Sequence, residues 1–247
     1  MYRKLWQAIA EKQWRPVYLF WGSEQYLISE SLARLEAAIA PAGDASFNLE
    51  KLDARECTAH QVVLSAGTTS FFSTQKLVVV QRAPWFSLSK KGAENEGERG
   101  KTESSIILDY LAHPVPETCL VFVVGPEEKI SKTLKTTKAL AKVGEIIEFA
   151  PMQGEALQIW LKQAFQAKGQ KLQSAAGSEL VARSGNDLTL LAGEVEKIST
   201  YADGRDTVTA VSYTHLNGNI MWTRWWQNNE SSSSCIYSLE SKTPPKP

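Results

Sequence analysis

Short runs of β-branched, aliphatic and aromatic residues recur along the first 150 residues, and segments with helical spacing separate them. The predicted strands cover 16–22, 46–52, 76–81, 120–125 and 145–149. The predicted helices cover 2–13, 23–35, 58–66 and 106–111, and a lysine-rich helix is predicted after the fourth strand. Strands that alternate with helix-length connections favour a parallel sheet, because a parallel crossover needs a long connection. The pattern therefore predicts an α/β domain over residues 1–150, with helices covering a parallel sheet.

Beyond residue 150 the strand pattern stops, and three helical patterns follow. They cover 154–169, 174–184 and 187–202, with glycine near their ends as C-terminal punctuation. This predicts a small three-helix domain over residues 151–210. Within the first domain, residues 87–104 are rich in charge and poor in apolar side chains. We expect a solvated, mobile insertion there, since such a segment cannot enter a core.

Residues 211–247 show neither the strand pattern nor the helical spacing of the preceding segments. Three tryptophans, Trp222, Trp225 and Trp226, stand there beside a run of four serines and a proline-rich end, so they have no amphipathic face to join. The sequence VSYTHL at 211–216 resembles one reading-frame translation of a transposon-end adaptor used in sequencing-library preparation. We expect the genuine coding sequence to stop near Ala210 and residues 211–247 to be an artefactual or disordered tail. A natural C-terminal tail is the alternative.

The composition is that of an ordinary soluble globular protein, with 43% hydrophobic and 22% charged residues. The 27 Lys and Arg balance the 27 Asp and Glu, so charge alone does not indicate a strongly basic nucleic-acid binder. The three cysteines are far apart, and neither a disulfide framework nor a zinc site is expected. No apolar run approaches the roughly 20 residues that span a bilayer, so we expect a cytoplasmic protein with no membrane contact.

The motifs of nucleotide chemistry are incomplete. Gly100-Lys101-Thr102 matches the end of a phosphate-binding loop, but the first glycine of that motif is replaced by Asn95 and no apolar strand precedes it. The turn after the first predicted strand, which begins at Gly22, has no second glycine and no lysine. Neither His60 nor His113 lies in a recognisable catalytic motif. We therefore expect a nucleotide-binding type of fold without catalytic residues, cofactor or metal.

The adjacent pair Phe71 and Phe72 stands in a polar setting just before the third predicted strand. Two neighbouring side chains in a turn cannot both face one core. One phenylalanine is then a core residue and the other a partly covered one, or the pair is an exposed aromatic anchor for a partner's pocket.

Five lysines follow the fourth predicted strand at steps of three and four residues. They are Lys129, Lys132, Lys135, Lys138 and Lys142. This spacing places them on one face of the predicted helix. The face is either simply solvated or a surface that contacts nucleic-acid phosphates without sequence preference.

Taken in order, several segments resemble the delta subunit of bacterial DNA polymerase III, a clamp-loader protein. The resemblance spans residues 1–210 and rests on PVYLFWGSEQYLISESLARL, SFFSTQKLVVVQ, LVFVV with its lysine-rich sequel, and SGNDLTLLAGEVEKISTYADG. It implies an AAA+-type α/β domain without a working ATP site, followed by a helical lid domain. It also implies a third, collar-forming domain, and this chain is expected to be truncated before it.

The resemblance implies that Phe71 and Phe72 insert into a hydrophobic pocket of the sliding clamp, the beta subunit. It implies a protein that opens the clamp during DNA replication, is not itself an enzyme, and works with the gamma/tau and delta prime subunits and secondarily with DNA. Lys129, Lys132, Lys135 and Lys138 are the candidate DNA-phosphate contacts. Two other interpretations remain: an active P-loop ATPase, and a nucleic-acid-binding module that uses the lysine face.

Overall fold

The computed structural model of the chain describes residues 2–40, 48–68, 75–87, 98–201 and 206–208. The chain divides into two compact units, Met1–Met152 and Gln153–Pro247. The suspected tail, residues 211–247, lies outside the described residues.

The first unit is built on a five-stranded parallel sheet in the order β2-β3-β4-β1-β5. The strands are β1 (Val17–Trp21), β2 (Leu49–Asp53), β3 (Lys76–Gln81), β4 (Thr118–Val123) and β5 (Glu145–Glu148). Leu77 to Val80 in the middle of β3 are fully buried, as are Leu120 to Phe122 in β4. Continuous apolar runs of this kind suit strands covered on both faces. The predicted parallel α/β sheet is confirmed.

The described residues of this unit form five helices that accompany the sheet. They are α1 (Tyr2–Ala10), α2 (Gln25–Ile39), α3 (Ala59–Gly67), α4 (Glu98–Ala112) and α5 (Lys135–Val143). Helices α3, α4 and α5 contribute Val62, Ile107 and Leu140 to one apolar core, which also contains Leu19 of β1. Helices α1 and α2 pack on each other, and α2 contacts β3. Since the buried side chains of α2 are not part of that core, α1 and α2 cover the opposite face of the sheet.

In the second unit, residues 153–201 and 206–208 are described, and they form three helices and one short ladder. The helices are α6 (Gly154–Ala167), α7 (Ser174–Ser184) and α8 (Leu188–Tyr201). The prediction that strands stop after residue 150 is wrong, because β6 (Lys171–Leu172) pairs in parallel with β7 (Thr207–Val208). Two residues are too few to show a period, so only the pairing of distant segments reveals these strands.

The predicted mobile insertion at 87–104 is wrong at both ends. Ser87 is buried, and it pairs with Ile130 in an antiparallel bridge. Residues 98–104 belong to helix α4. Residues 88–97 lie outside the described part of the chain.

The predicted lysine-rich helix is shorter than its spacing suggested, since α5 begins only at Lys135. Lys129 and Lys132 precede it in a connection that is tied to the 3₁₀ turn Pro84–Phe86. The N–H of Ser131 donates to the carbonyl of Phe86 at 2.9 Å. This long-range pairing replaces the first predicted turns of the helix.

In the described ranges, no helix is long and apolar enough to cross a bilayer.

Candidate functional site

Phe71 and Phe72 lie outside the described residues, which stop at Thr68 and resume at Gln75. The two flanks of this segment are described. They are the C-terminus of α3 and the start of β3, both at the amino edge of the parallel sheet.

The end of helix α3 is bound to the sheet through its own carbonyl groups. The last carbonyls of a helix have no partner within it and need one elsewhere. The ammonium of Lys76 donates to the carbonyl of Ser65 at 2.8 Å, and the hydroxyl of Thr118 donates to the carbonyl of Ala66 at 2.9 Å. Lys76 and Thr118 are paired first residues of β3 and β4. Two neighbouring strands therefore cap one helix end.

Lys76 also forms an ion pair with Glu50 of β2, at 2.9 Å between its Nζ and Oε2. The lysine side chain is 10% exposed, whereas that of Glu50 is 41% exposed. Burial acts to raise the pKa of Glu50, but the nearby hydroxyl of Ser65, the hydrogen bond from Lys76 and the charge of Lys76 outweigh it, so the pKa lies below its usual value. The ammonium thus joins β2, β3 and the end of α3.

The start of β3 has two further ties. The N–H of Lys76 donates to the carbonyl of Glu117 at 2.9 Å. The indole Nε1 of Trp14 donates to Oε1 of Gln75 at 2.7 Å, across 61 residues of sequence. At the other flank, the N–H and hydroxyl of Thr68 both bind the carbonyl of Leu64. Both ends of the segment that contains the phenylalanine pair are therefore fixed.

Sequence reasoning missed Leu64, on the last turn of α3. It is 62% exposed, and Leu190 at 59% is the other large hydrophobic residue that the described part of the chain leaves exposed. The helical period gave no signal for it, because Leu64 stands directly beside Val62 and Val63 in an apolar run. An exposed leucine costs little by itself but is suited to an interface.

The turn between β1 and α2, where a nucleotide-binding fold holds phosphate, is closed by backbone contacts. Gly22 has a φ of +130°, and a Cβ placed on it would lie 2.2 Å from the carbonyl oxygen of Phe149. The N–H of Glu24 donates to that same carbonyl at 3.0 Å. Only three residues separate β1 from α2, whereas a phosphate-binding loop needs a longer glycine-rich turn with free N–H groups.

The other motif residues lie apart from this turn. The G-K-T sequence at 100–102 is inside helix α4 rather than in the predicted loop. His60 and His113 are both exposed. Among the described residues, no group of three or more histidine, cysteine or acidic side chains could hold a metal ion.

The structure exposes all five predicted lysines but distributes them over two elements. Lys129 and Lys132 lie on the connection before α5, and Lys135, Lys138 and Lys142 lie on the helix. Lys132 and Lys138 line one cleft of about 310 Å³. We name it the α5 cleft.

The α5 cleft lies at the carboxyl end of β1 and β5. Its apolar lining consists of Trp21, Ile130, Ala141 and Ile146. Its polar lining consists of Lys132, Thr137, Lys138 and Glu148. Trp21 and Glu148 are register partners on neighbouring strands, so both side chains stand on the sheet face that α5 covers.

Comparison with known proteins identifies the family. A family model described as "DNA polymerase III, delta subunit" matches residues 18–150, more than half of the chain. The chain belongs to this family. The Bacillus subtilis (strain 168) protein named DNA polymerase III subunit delta is 25% identical over 205 residues. This alignment covers 83% of the present chain and 57% of the relative, so the chain spans little more than half of that relative's length.

One solved structure shows the same fold, and a second is reported for comparison only. The Bacillus subtilis DNA clamp loader delta protein superposes with a TM-score of 0.74 at 23% identity, covering 93% of this chain and 66% of that one. The Thermotoga maritima RuvB Holliday junction branch migration motor gives a TM-score of 0.46 at 14% identity, covering 85% and 65% of the two chains. The likeness to the delta protein, at a TM-score of 0.74, confirms the expected α/β fold.

Proposed function

We propose that this delta-family chain binds the DNA sliding clamp, the beta subunit of DNA polymerase III, and opens it without catalysing a reaction. Opening here means that the chain binds an open or distorted clamp interface more tightly than the closed one. The full-length protein would act together with the gamma/tau and delta prime subunits, and the neighbouring subunits would use ATP.

Phe71 and Phe72 are the proposed clamp anchors. The observation that supports this role most is the fixed base of their segment, bound through Lys76 and Thr118 to the end of α3. Fixing the flanks in advance reduces the conformational entropy lost on binding. Two phenylalanines buried in a partner's pocket would supply the apolar contact that dominates protein interfaces.

The closed turn at Gly22 supports the non-catalytic part of the proposal. The N–H of Glu24 donates to the Phe149 carbonyl, Gln25 donates to the carbonyls of Gly22 and Ser23, and the glycine has no room for a side chain. An active ATPase is the competing function, and isothermal titration with Mg-ATP separates the two. We expect no heat of binding from this chain, and micromolar binding would favour the ATPase.

The clamp proposal is tested with the double variant Phe71→Ala/Phe72→Ala. Burial of each phenylalanine contributes about 1.5–3 kcal/mol, so the pair should contribute about 3–6 kcal/mol. Clamp affinity, measured by surface plasmon resonance, should therefore fall by about 100- to 10,000-fold. Leu190→Ala, which removes an exposed apolar side chain from α8, is the matched control.

Opening needs its own readout. A fluorophore pair across one clamp interface should separate when the wild-type chain is added and stay together with the double variant. Unchanged clamp affinity in a folded double variant would refute the anchor assignment. Tight binding with no separation of the fluorophores would refute opening.

A further inference from the structure

The α5 cleft combines an aromatic and aliphatic lining with cationic side chains. Trp21, at the end of β1, is only partly buried, and Ile146 of β5 lies beside it in the lining. Lys132 and Lys138 reach the cleft from the connection and from helix α5. A volume of about 310 Å³ is at the lower end for small-ligand sites, enough for one planar group rather than a whole cofactor.

The lysines around the cleft form no ion pair with an acidic side chain in the described part of the chain. Lys51, Lys76, Lys168 and Lys197 each form an ion pair. The five lysines at 129, 132, 135, 138 and 142 form no ion pair with any described residue, and all are exposed. Unpaired lysines within one short stretch attract a polyanion. Each lysine that contacts a phosphate adds to the affinity for nucleic acid.

One buried polar group in the cleft wall also lacks a partner. Thr137 is 2% exposed, and its hydroxyl makes no hydrogen bond to any described residue. Glu148 supplies the only carboxylate of the lining, so the cleft offers a hydroxyl and an acceptor beside an aromatic ring. Leaving a buried hydroxyl unpaired costs free energy, which a bound polar group could recover.

We propose that the α5 cleft binds one base of single-stranded DNA, while the lysines around it bind the flanking phosphates. A base has a π-face for Trp21 and polar edges for Thr137 and Glu148. Aromatic side chains within a cationic groove are the usual way in which proteins bind single strands. A duplex would not fit this role, because its bases are stacked within the helix. The proposal does not depend on clamp binding.

The first test compares two labelled oligonucleotides of equal length and charge by fluorescence anisotropy with the full chain. One is oligo-dT, and the other carries abasic sites in place of the central bases. Since one stacked base is worth a severalfold to about 100-fold change in affinity, oligo-dT should bind about 5- to 100-fold more tightly. Equal affinity would overturn the base-binding cleft and leave phosphate contact alone.

Two variants separate the charge from the cleft. The slope of log affinity against log salt concentration counts the phosphate contacts, at about 0.7 for each contact on a single strand. Lys132→Gln/Lys138→Gln should therefore reduce this salt slope of oligo-dT binding by about 1.4. The matched control is Lys4→Gln/Lys162→Gln, which removes two exposed lysines elsewhere and should leave the slope nearly unchanged. An equal reduction in both double variants would overturn the assignment to this cleft.

Ala141→Leu places a larger side chain in the lining without changing charge. Ala141 is exposed on α5 and leucine is a good helix former, so the fold should remain intact. The preference for oligo-dT over the abasic strand should disappear in this variant while its salt slope stays. A preference that survives would overturn the proposal, and so would binding of an oligo-glutamate peptide with no binding of oligo-dT.

Discussion

The ammonium of Lys76 lies 2.8 Å from the backbone carbonyl of Ser65, so the first residue of strand β3 caps the end of helix α3. The same ammonium is paired with Glu50 on strand β2. The end of α3 and the start of β3, which flank residues 69–74 in the sequence, are therefore held together at the amino edge of the sheet.

Lys76→Met should destabilise the chain by about 1–3 kcal/mol, because it removes both the hydrogen bond to the Ser65 carbonyl and the ion pair with Glu50. Urea unfolding of the full chain measures this change. Lys51→Met is the matched control, since the pair between Lys51 and Glu36 is more exposed and should contribute less than about 1 kcal/mol. Equal losses of unfolding free energy in the two variants would show that the buried contacts of Lys76 stabilise the chain no more than an exposed ion pair does.

Glu50 gives a pH-dependent prediction. Its folded-state pKa lies below the ordinary 4.5, so its stabilising contribution is complete above about pH 4.5 and is lost as the pH falls through the folded-state pKa. Glu50→Gln should therefore be less stable than wild type at pH 7, by less than about 1 kcal/mol for this half-exposed pair. The difference between the two proteins should shrink in urea unfolding curves recorded below pH 4.5. A difference that grows with acid would contradict the sign of the shift.

Gly22→Ala should destabilise the chain by about 2–4 kcal/mol, because its Cβ would meet the Phe149 carbonyl oxygen at a φ unsuited to alanine. Thermal or urea unfolding would measure the loss. Gly193→Ala is the control: Gly193 lies inside α8, with nothing within 4 Å of its added Cβ, and alanine there should stabilise by up to about 1 kcal/mol. A tolerated Gly22→Ala would mean that the turn opens readily.

Leu64→Asp should weaken clamp binding by about tenfold or more with little loss of stability, since Leu64 is exposed on the last turn of α3, the helix that precedes the phenylalanine pair in the sequence. Surface plasmon resonance against the clamp measures the affinity. Leu190→Asp makes the same change at a similarly exposed leucine on α8 and should leave clamp affinity unchanged. Parallel effects in both variants would indicate a general defect rather than a clamp contact.

The sequence was most informative where burial is continuous. The prediction for β3, 76–81, coincides with the observed strand, because a short run of one leucine and three valines suits a strand that is buried on both faces. Helix α4 was predicted too short, because its first turns carry polar side chains without an apolar period. The connection holding Lys129 and Lys132 was predicted as helix, and pairing with Ser87 decided otherwise.

Part of the candidate site could likewise be predicted from the sequence, and part could not. The phenylalanine pair and the incomplete phosphate-binding turn at Gly22 are visible in the residues themselves. Nothing local predicts that Lys76 binds the end of α3, or that Trp21 and Lys138 share a cleft.

The sequence by itself determined the alternation of strands and helices, the parallel α/β class and the residues available for an apolar anchor. These properties follow from local periodicity and side-chain chemistry. The tertiary structure alone decided which helix end the sheet caps, which leucines stay exposed, and which lysines line the cleft beside Trp21. Those relationships depend on hydrogen bonds and packing between residues distant in sequence, such as Thr118 and Ala66, 52 positions apart. Local sequence patterns do not show which distant residues will meet, because those contacts form only when the chain folds.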